Sequence, residues 1–151
     1  MVITEQNHLM GSYSFAYHYG LMYHDELISL MSIKQVNNVL EISRFGSRLN
    51  TNVRGGFSKL LSYVINLYNS IKVVSFCDLR YSSGKSYIKA GFKLVGIITS
   101  WSWTNRDSRF NRLTCRASNN KTEKENALAK GWIRIYDAGQ AKYELILKEV
   151  I

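Results

Sequence analysis

Apolar residues recur along this chain with two different spacings, and together these spacings predict a series of strands and helices. Apolar positions at 57, 60, 61, 64, 65 and 68 share one face of a helix. Runs that are typical of strands lie at residues 14–23, 27–31, 39–45, 71–76 and 92–98. The order of elements is therefore hairpin, strand, glycine-bearing loop, helix, strand, short helix and strand. This order predicts a mixed α/β (α+β) fold.

The run at 71–76 differs from the others because it is apolar on both faces, which is typical of a central, buried strand. Asp78 and Arg80 follow it, at the carboxyl end of a strand, where open α/β sheets place their ligands. Asp78 is therefore a candidate catalytic residue and Arg80 a candidate nucleic-acid ligand. The alternative is a salt bridge between them that only holds the loop.

The chain after residue 98 carries an arginine-rich segment, a helix and two strands. Thr122, with Glu125 three residues later, forms a capping box, so a helix is expected over 122–130. Strand-type residues on both sides of a turn at 138–140 predict a second hairpin over 132–148.

The length of 151 residues suits one domain with a buried core and is short for two. A single domain over 1–151 is expected, with the mixed sheet in 14–98 and the basic segment and second hairpin in 99–151. Because the sequence has no run of eighteen apolar residues and no secretory signal, we expect a cytoplasmic protein with no membrane partner. A homo-oligomer stays possible. The two cysteines and three histidines predict free thiols and no metal site.

A tyrosine precedes a helix-ending glycine by four residues in the segment Ser86–Gly96. Gly91 can adopt the left-handed conformation that closes a helix, and Phe92 then begins a strand-type run. The pattern Tyr-x-x-x-Gly-Phe resembles the closing motif of the GNAT-fold acyltransferases. In that family the tyrosine commonly reprotonates the leaving thiolate of acyl-CoA, so the resemblance implies that Tyr87 is a general acid.

The resemblance to the GNAT fold covers roughly residues 14–98 and implies a mixed sheet that splays between two strands to admit the pantetheine arm. Residues 52–61 lie where the family has its pyrophosphate loop, Arg/Gln-x-x-Gly-x-Gly/Ala, which leads into a helix. Backbone N–H groups at a helix start can bind a pyrophosphate. The resemblance therefore implies acetyl-CoA or a related acyl donor as cofactor, bound by Arg54, Gly55, Gly56 and Ser58.

The chain departs from that motif, because the second small residue is either replaced by Phe57 or displaced to Ser58. A bulky side chain at that point would crowd the phosphates. The alternative is a glycine turn that merely opens a helix. The resemblance also implies a general base at Glu41, since GNAT enzymes often carry one in this region; Glu41 could equally pair with Arg44 or Arg80.

A narrower resemblance spans almost the full chain. Five segments are similar to a phage domain that occurs alone or with homing endonucleases and, more distantly, to Mom-type phage proteins that modify adenine in DNA. They are Asn7–Gly11, Leu40–Phe45, Val74–Arg80, Ser83–Tyr87 and Gly131–Gly139. This resemblance implies a role in DNA modification in a phage-infected bacterial host, with His8 as a candidate catalytic residue. A structural hydrogen bond is the alternative role of that histidine.

The formal charge of +9 and the sequence pI near 9.6 favour a polyanionic partner, and nucleic acid (DNA) is the first expectation. A generally basic protein from an AT-rich genome is the alternative. The segment from Trp101 to Lys121 alone carries a net charge of +4. Guanidinium groups and indole rings suit phosphate and base contacts. The nucleic-acid-binding candidates there are Trp101, Trp103, Arg106, Arg109, Arg112 and Arg116.

Three functions follow from these observations. The first is a GNAT-fold enzyme that transfers an acyl-type group to nucleic acid. The second is a non-catalytic DNA-binding or targeting module related to homing-endonuclease accessory domains. The third is a conventional acetyl-CoA-dependent N-acetyltransferase.

Overall fold

The computed structural model describes residues 16–118 and 120–148. By their contacts, residues group into two compact units. Among the described residues, unit 1 comprises 16–76, 85–95 and 142–148, and unit 2 comprises 77–84, 96–118 and 120–141. The single domain expected from the length stays a prediction.

The first three strands form an antiparallel meander in unit 1. They are β1 (Tyr17–Tyr23), β2 (Glu26–Val36) and β3 (Val39–Ser47). The turn between β1 and β2 places His24 at φ 46° and Asp25 at φ 60°. Two consecutive positive φ angles match the right-handed twist of a two-residue hairpin, and the predicted first hairpin is confirmed.

The remaining elements of the main sheet follow in the order that the sequence predicts. They are helix α1 (Gly56–Leu67), β4 (Lys72–Asp78), helix α2 (Lys85–Lys89) and β5 (Lys93–Ile98), and β9 (Gln140–Ile146) joins them from the end of the chain. The strand order is β1-β2-β3-β4-β9-β5, with β3 and β4 parallel. This mixed, helix-flanked sheet confirms the predicted fold class.

Helix α1 packs through the face that its sequence period predicts. Leu60, Leu61 and Val64 are buried, whereas Tyr63 and Leu67 are exposed. Each fully buried side chain of this kind contributes about 1.5–3 kcal/mol, so the face fixes the helix against the sheet. Buried strand residues that complete this core include Met31, Ile33, Leu40, Ile42 and Val73.

Unit 2 contains a smaller, three-stranded sheet in the order β7-β6-β8. Its strands are β6 (Trp101–Thr104), β7 (Arg109–Phe110) and β8 (Ile133–Tyr136), accompanied by a 3₁₀ turn (Arg112–Cys115) and helix α3 (Glu123–Ala129). Trp103, Cys115 and Ala127 form its core, against which Trp101, Phe110 and Trp132 pack. The capping box of Thr122 and Glu125 is present in both directions, as predicted.

The predicted second hairpin does not form. Strand β8 pairs with β6, and β9 instead lies between β4 and β5 in the other sheet. The main sheet therefore extends beyond the range 14–98 that was expected for it. A turn with Gly139 at φ 83° separates the two strands as expected, but non-local pairing decides their partners.

None of the helices in the described part of the chain is long and apolar enough to cross a membrane. Cys77 and Cys115 are both buried free thiols.

Candidate active site

Strands β3 and β4 run side by side only over their first residues. Their register pairs Val39 with Lys72 and ends at the pair Ile42 and Ser75. Strand β3 nevertheless continues to Ser47, and β4 continues past Ser75. The sheet therefore opens after Ser75, which is the splay that the GNAT resemblance implies.

The phenol of Tyr87 reaches the point where the two strands separate. Its oxygen lies 2.9 Å from Ser75 Oγ, and Ser75 Oγ lies 3.1 Å from the carbonyl oxygen of Ile42. A serine hydroxyl has a single proton. When Ser75 donates that proton to Ile42, it accepts one from Tyr87, so the phenol is oriented by the last residues that hold β3 and β4 together.

Five aromatic rings of unit 1 surround this point, and we refer to them as the aromatic cluster. Tyr87 is half-buried and stacks on Tyr143 at 5.2 Å between centroids, and it meets Phe92 edge-to-face at 5.5 Å. Phe57 meets Tyr87 at 5.6 Å and Phe45 at 5.2 Å, both edge-to-face. Edge-to-face and offset pairs are the favourable ring geometries.

Helix α1 begins beside this cluster without a capping side chain. Its N-cap, Gly55, has φ 73°, and no acidic residue lies in the first turn. A Cβ on Gly56 would lie 3.0 Å from Val53 Cγ1, so glycine is needed there for close packing. The N–H groups at such a start lack intrahelical acceptors and attract anions.

The predicted cofactor-binding residues all lie at this helix start. Arg54 and Ser58 are exposed beside Gly55, and Gly56 is buried beneath them. The glycine turn opens a helix, as in the alternative interpretation, and the Gly56 N–H closes that turn by donating to the Val53 carbonyl oxygen at 3.1 Å, which leaves the N–H groups that follow it in the first helical turn for an anion. The two interpretations are therefore compatible.

Glu41 and Tyr87 are associated with opposite faces of the sheet. Glu41 is in register with Val74, and its neighbour Ile42 is in register with Ser75. Successive strand residues point to opposite faces. Since Tyr87 contacts Ser75, the half-buried Glu41 side chain points away from the phenol.

Asp78 and Arg80, in unit 2, bind each other. The Arg80 guanidinium donates from Nε to Asp78 Oδ1 at 2.9 Å and also lies 3.7 Å from Asp137. The hydrogen bond from Arg80 holds the pKa of Asp78 below its usual value. The salt bridge proposed as the alternative is therefore what the structure shows.

Asp137 is the centre of this ion-pair group. Its side chain is only 5% exposed and accepts a 2.6 Å hydrogen bond from Arg109. Burial acts to raise the pKa of Asp137, but hydrogen bonds from the Gly139 amide and Arg109 outweigh it, and the pKa lies below the ordinary value. Two of the predicted nucleic-acid ligands, Arg80 and Arg109, thus have carboxylate partners.

The indole rings of unit 2 are equally engaged. Trp103 is 2% exposed and donates from Nε1 to Glu123, which also binds Arg112. The Arg112 and Arg134 guanidinium carbons lie 4.0 Å and 3.9 Å from the centroid of the Trp101 ring. Trp103 therefore presents no free stacking face, and Trp101 is covered by arginines.

Two of the predicted nucleic-acid-binding arginines have no carboxylate partner among the described residues. Arg106 and Arg116 are exposed and form no ion pair with any carboxylate of residues 16–118 and 120–148. His8 lies outside the described residues. No group of three His, Cys, Asp or Glu side chains within the described ranges could hold a metal ion.

The sequence reasoning did not identify Ser75 or Asp137. Ser75 is a hydroxyl inside an otherwise apolar strand, which was a usable signal because buried polar side chains need partners. Asp137 follows a strand-type run at the turn before β9, and nothing in its local pattern points to Arg80 or Arg109.

Comparison with solved structures identifies the fold. A Bacillus subtilis acetyltransferase in complex with CoA matches with a TM-score of 0.56 and 14% identity, over 89% of this chain and 78% of that one. A GNAT family acetyltransferase from Elizabethkingia anophelis with acetyl-CoA bound matches with a TM-score of 0.57 and 16% identity, over 89% and 78%. The chain has the GNAT acetyltransferase fold.

A third GNAT-fold match, the IAA acetyltransferase from Bacillus cereus, has a TM-score of 0.57 and 13% identity and covers 88% of this chain and 79% of that chain. No protein-family model and no curated protein matches the sequence. The narrower resemblance to phage and Mom-type proteins stays a prediction.

Proposed function

We propose that this protein is an acyl-CoA-dependent N-acyltransferase. One observation carries the proposal: the two parallel strands separate at Ser75, and the Tyr87 phenol lies at that point, beside the uncapped start of α1. An anion site, an opening in the sheet and a proton donor are thus combined within unit 1.

Different parts of the chain would bind different parts of the acyl-CoA donor. The N–H groups of Phe57 and Ser58 in the first turn of α1 would hold the pyrophosphate of the donor, with Arg54 adding positive charge; the Gly56 N–H already donates to the Val53 carbonyl oxygen at 3.1 Å. Beyond Ile42, β3 is no longer in register with β4, and backbone groups on that side of the strand would face the amides of a pantetheine arm. These groups fit acyl-CoA because phosphate, extended amide chain and thioester follow one another in that order.

In the proposed transfer, the acceptor amine forms a bond to the acyl carbon, the carbon–sulfur bond breaks, and the electron pair leaves on sulfur. Tyr87 gives its proton to the departing thiolate, and a base takes the proton that the amine loses. Glu41 is the candidate base in this proposal. Because it points to the other face, the acceptor would approach the opening from the side opposite Tyr87.

The experiment that tests the proposal measures thiol release. The purified chain is incubated with acetyl-CoA and a panel of amine acceptors, including DNA, a lysine peptide and small polyamines, and the free CoA thiol is followed spectrophotometrically. Acceptor-dependent thiol release supports the proposal. No release with any acceptor, together with no binding of CoA, contradicts it.

A second candidate function is a nucleic-acid-directed role, either as the acceptor of the acyl-type group or as a bound target without catalysis. It is supported by the net charge of +9, and by residues 96–141, which have eight Arg or Lys and four Asp or Glu. Exposed cations of unit 2 that form no ion pair with a carboxylate of the described residues include Arg106 and Arg116. A role in a phage-infected cell belongs to this second proposal.

A further inference from the structure

Phe57 stands in the first turn of α1, where the GNAT motif has a small residue, and its ring points into the aromatic cluster. It contacts Phe45 at 5.2 Å, Tyr87 at 5.6 Å and Phe92 at 6.5 Å between centroids. These contacts direct the ring away from the helix start and toward the opening in the sheet. The position of the ring therefore concerns the opening in the sheet and not the phosphate site, which Phe57 was expected to crowd.

The partners of Phe57 belong to the two walls of the opening. Phe45 lies on β3, three residues beyond Ile42, the last residue that pairs with β4. Tyr87 is attached to the other wall through its hydrogen bond to Ser75 on β4. A ring in contact with both walls spans the space between them.

That space is the one a pantetheine arm needs. Protein interiors are close-packed, so a phenyl ring and a chain of amide and methylene groups cannot share the same volume. The ring contacts of Phe57 are with Phe45, Tyr87 and Phe92, whereas Gly55 and Ser58 at the helix start are exposed. Phe57 would therefore obstruct the pantetheine arm of the donor and not its phosphates.

Phe57, like Phe45 and Tyr87, is not among the fully buried members of the cluster. It is half-buried, whereas Phe92 and Tyr143 are 3% exposed and form part of the core. A rotation of the Phe57 side chain away from Phe45 and Tyr87 costs those ring contacts but leaves the two buried rings in place.

We propose that Phe57 is a specificity-determining residue of the donor site: its ring and the pantetheine arm of an acyl-CoA compete for the opening between β3 and β4. This inference rests on the proposed function, since it concerns the donor of that reaction. When a binding-competent arrangement is only partly populated, the apparent affinity falls by the populated fraction. The ring therefore weakens the binding of CoA but leaves the binding of a ligand that has only the phosphates unchanged.

Calorimetric titration of three proteins with two ligands tests this. The proteins are the unaltered chain, Phe57→Ala and Phe57→Trp, and the ligands are CoA and ADP, which has the pyrophosphate without the arm. Removing the ring is expected to tighten CoA binding by about tenfold or more, because the competing arrangement is lost. Phe57→Trp is expected to weaken CoA binding, and the affinity for ADP stays the same in all three.

Tyr63→Ala is the matched control, because it removes an exposed ring from the same helix outside the cluster. It is expected to leave both affinities unchanged. Circular dichroism confirms that each variant is folded. If Phe57→Ala does not fold, Phe57→Leu replaces it, since leucine keeps apolar volume but lacks the flat ring that reaches Tyr87, and CoA must again bind more tightly.

The outcomes separate this inference from the proposed function. Equal CoA affinity in the unaltered chain and Phe57→Ala overturns the role of Phe57 while the donor site stands. A parallel change in ADP and CoA affinity also overturns it, because the ring would then act on the phosphates. If neither CoA nor ADP binds to any variant, the donor site itself is wrong and this inference fails with it.

Discussion

The phenol oxygen of Tyr87 lies 2.9 Å from the hydroxyl oxygen of Ser75, the last residue of β4 in register with β3. This contact joins the short helix α2 to the point where the sheet opens. It gives the phenol a defined position at the end of the β3–β4 pairing, which the proposed role of Tyr87 as a proton donor requires.

Replacement of Tyr87 by phenylalanine tests its role as general acid. The ring contacts to Phe92 and Tyr143 stay, but the proton donor is lost, and general acids contribute about 10²–10⁴-fold to rate. A fall in kcat of that size, with little change in CoA affinity, is expected in the thiol-release assay. Tyr63→Phe is the control. Equal activity in Tyr87→Phe and the unaltered chain would show that the phenol takes no part.

Ser75 is expected to act as a positioning residue. In Ser75→Ala the phenol and the Ile42 carbonyl lose their shared partner, and an unsatisfied buried group costs about 1–3 kcal/mol of folding free energy. The kcat of transfer should fall while KM for acyl-CoA stays constant, and Ser75→Thr, which keeps a hydroxyl, should restore part of it. Ser62→Ala, on the exposed side of α1, is the control. An unchanged kcat in a folded Ser75→Ala would contradict this role.

Unit 2 is expected to lose stability in acid. The pKa of Asp137 in the folded protein lies below its ordinary value of 3.8. A lowered pKa contributes stability that is present above the ordinary value and is lost as the pH falls through the folded value. The free energy of unfolding of the unaltered chain, measured with denaturant, should decrease below about pH 4.

The comparison variant is Asp137→Asn, whose free energy of unfolding should depend less on pH in acid. Its free energy of unfolding at neutral pH should also be lower, because Arg80 and Arg109 lose their shared partner. Asp107→Asn, an exposed position in the same unit, should keep the acid dependence of the unaltered chain. Identical pH profiles for all three proteins would show that the ion-pair group contributes nothing.

The nucleic-acid proposal predicts different effects for two pairs of arginines. Arg106 and Arg116 have no carboxylate partner in the described residues, so replacing both by glutamine should weaken DNA binding and lower the slope of log K against log salt by about 2. Arg109 and Arg112 are bound to Asp137 and Glu123. Their replacement should reduce stability more than DNA affinity. Fluorescence anisotropy at several salt concentrations measures both effects, and equal salt slopes in all variants would overturn the proposal.

Local patterns in the sequence predicted much of the fold. The apolar period placed α1 within one residue of its observed start, the Thr122 and Glu125 box marked the start of α3, and Gly91 has the positive φ of 90° expected of a helix stop. These features depend on neighbours within one or two turns. They are therefore readable from a single sequence.

The features that could not be predicted depend on partners that are far apart in the sequence. The second hairpin was wrong because β9 pairs with strands far back in the chain, and no local signal decides between that pairing and a hairpin. Arg109 and Asp137 are 28 positions apart, so their ion pair could not be read from spacing. Arg80, Arg109 and Arg112, three of the predicted nucleic-acid-binding residues, have carboxylate partners for the same reason, and their contact with nucleic acid stays a prediction.

The candidate site was predicted in part. The helix start with Gly55 and Gly56 and the tyrosine beside the opening follow from motifs, whereas the ring direction of Phe57 depends on side-chain packing that no motif contains. Glu41 was correctly placed on the strand before the opening, and only the register with β4 shows that it points to the other face.

The most direct test of the account is a titration of the ¹⁵N-labelled protein with CoA, followed by amide chemical shifts. The largest shifts are expected at residues 55–58, at the start of α1, with further shifts at residues 43–47 of β3, which lie beyond its last pair with β4. An absence of shifts at the start of α1 with CoA in excess would contradict a donor site at this position.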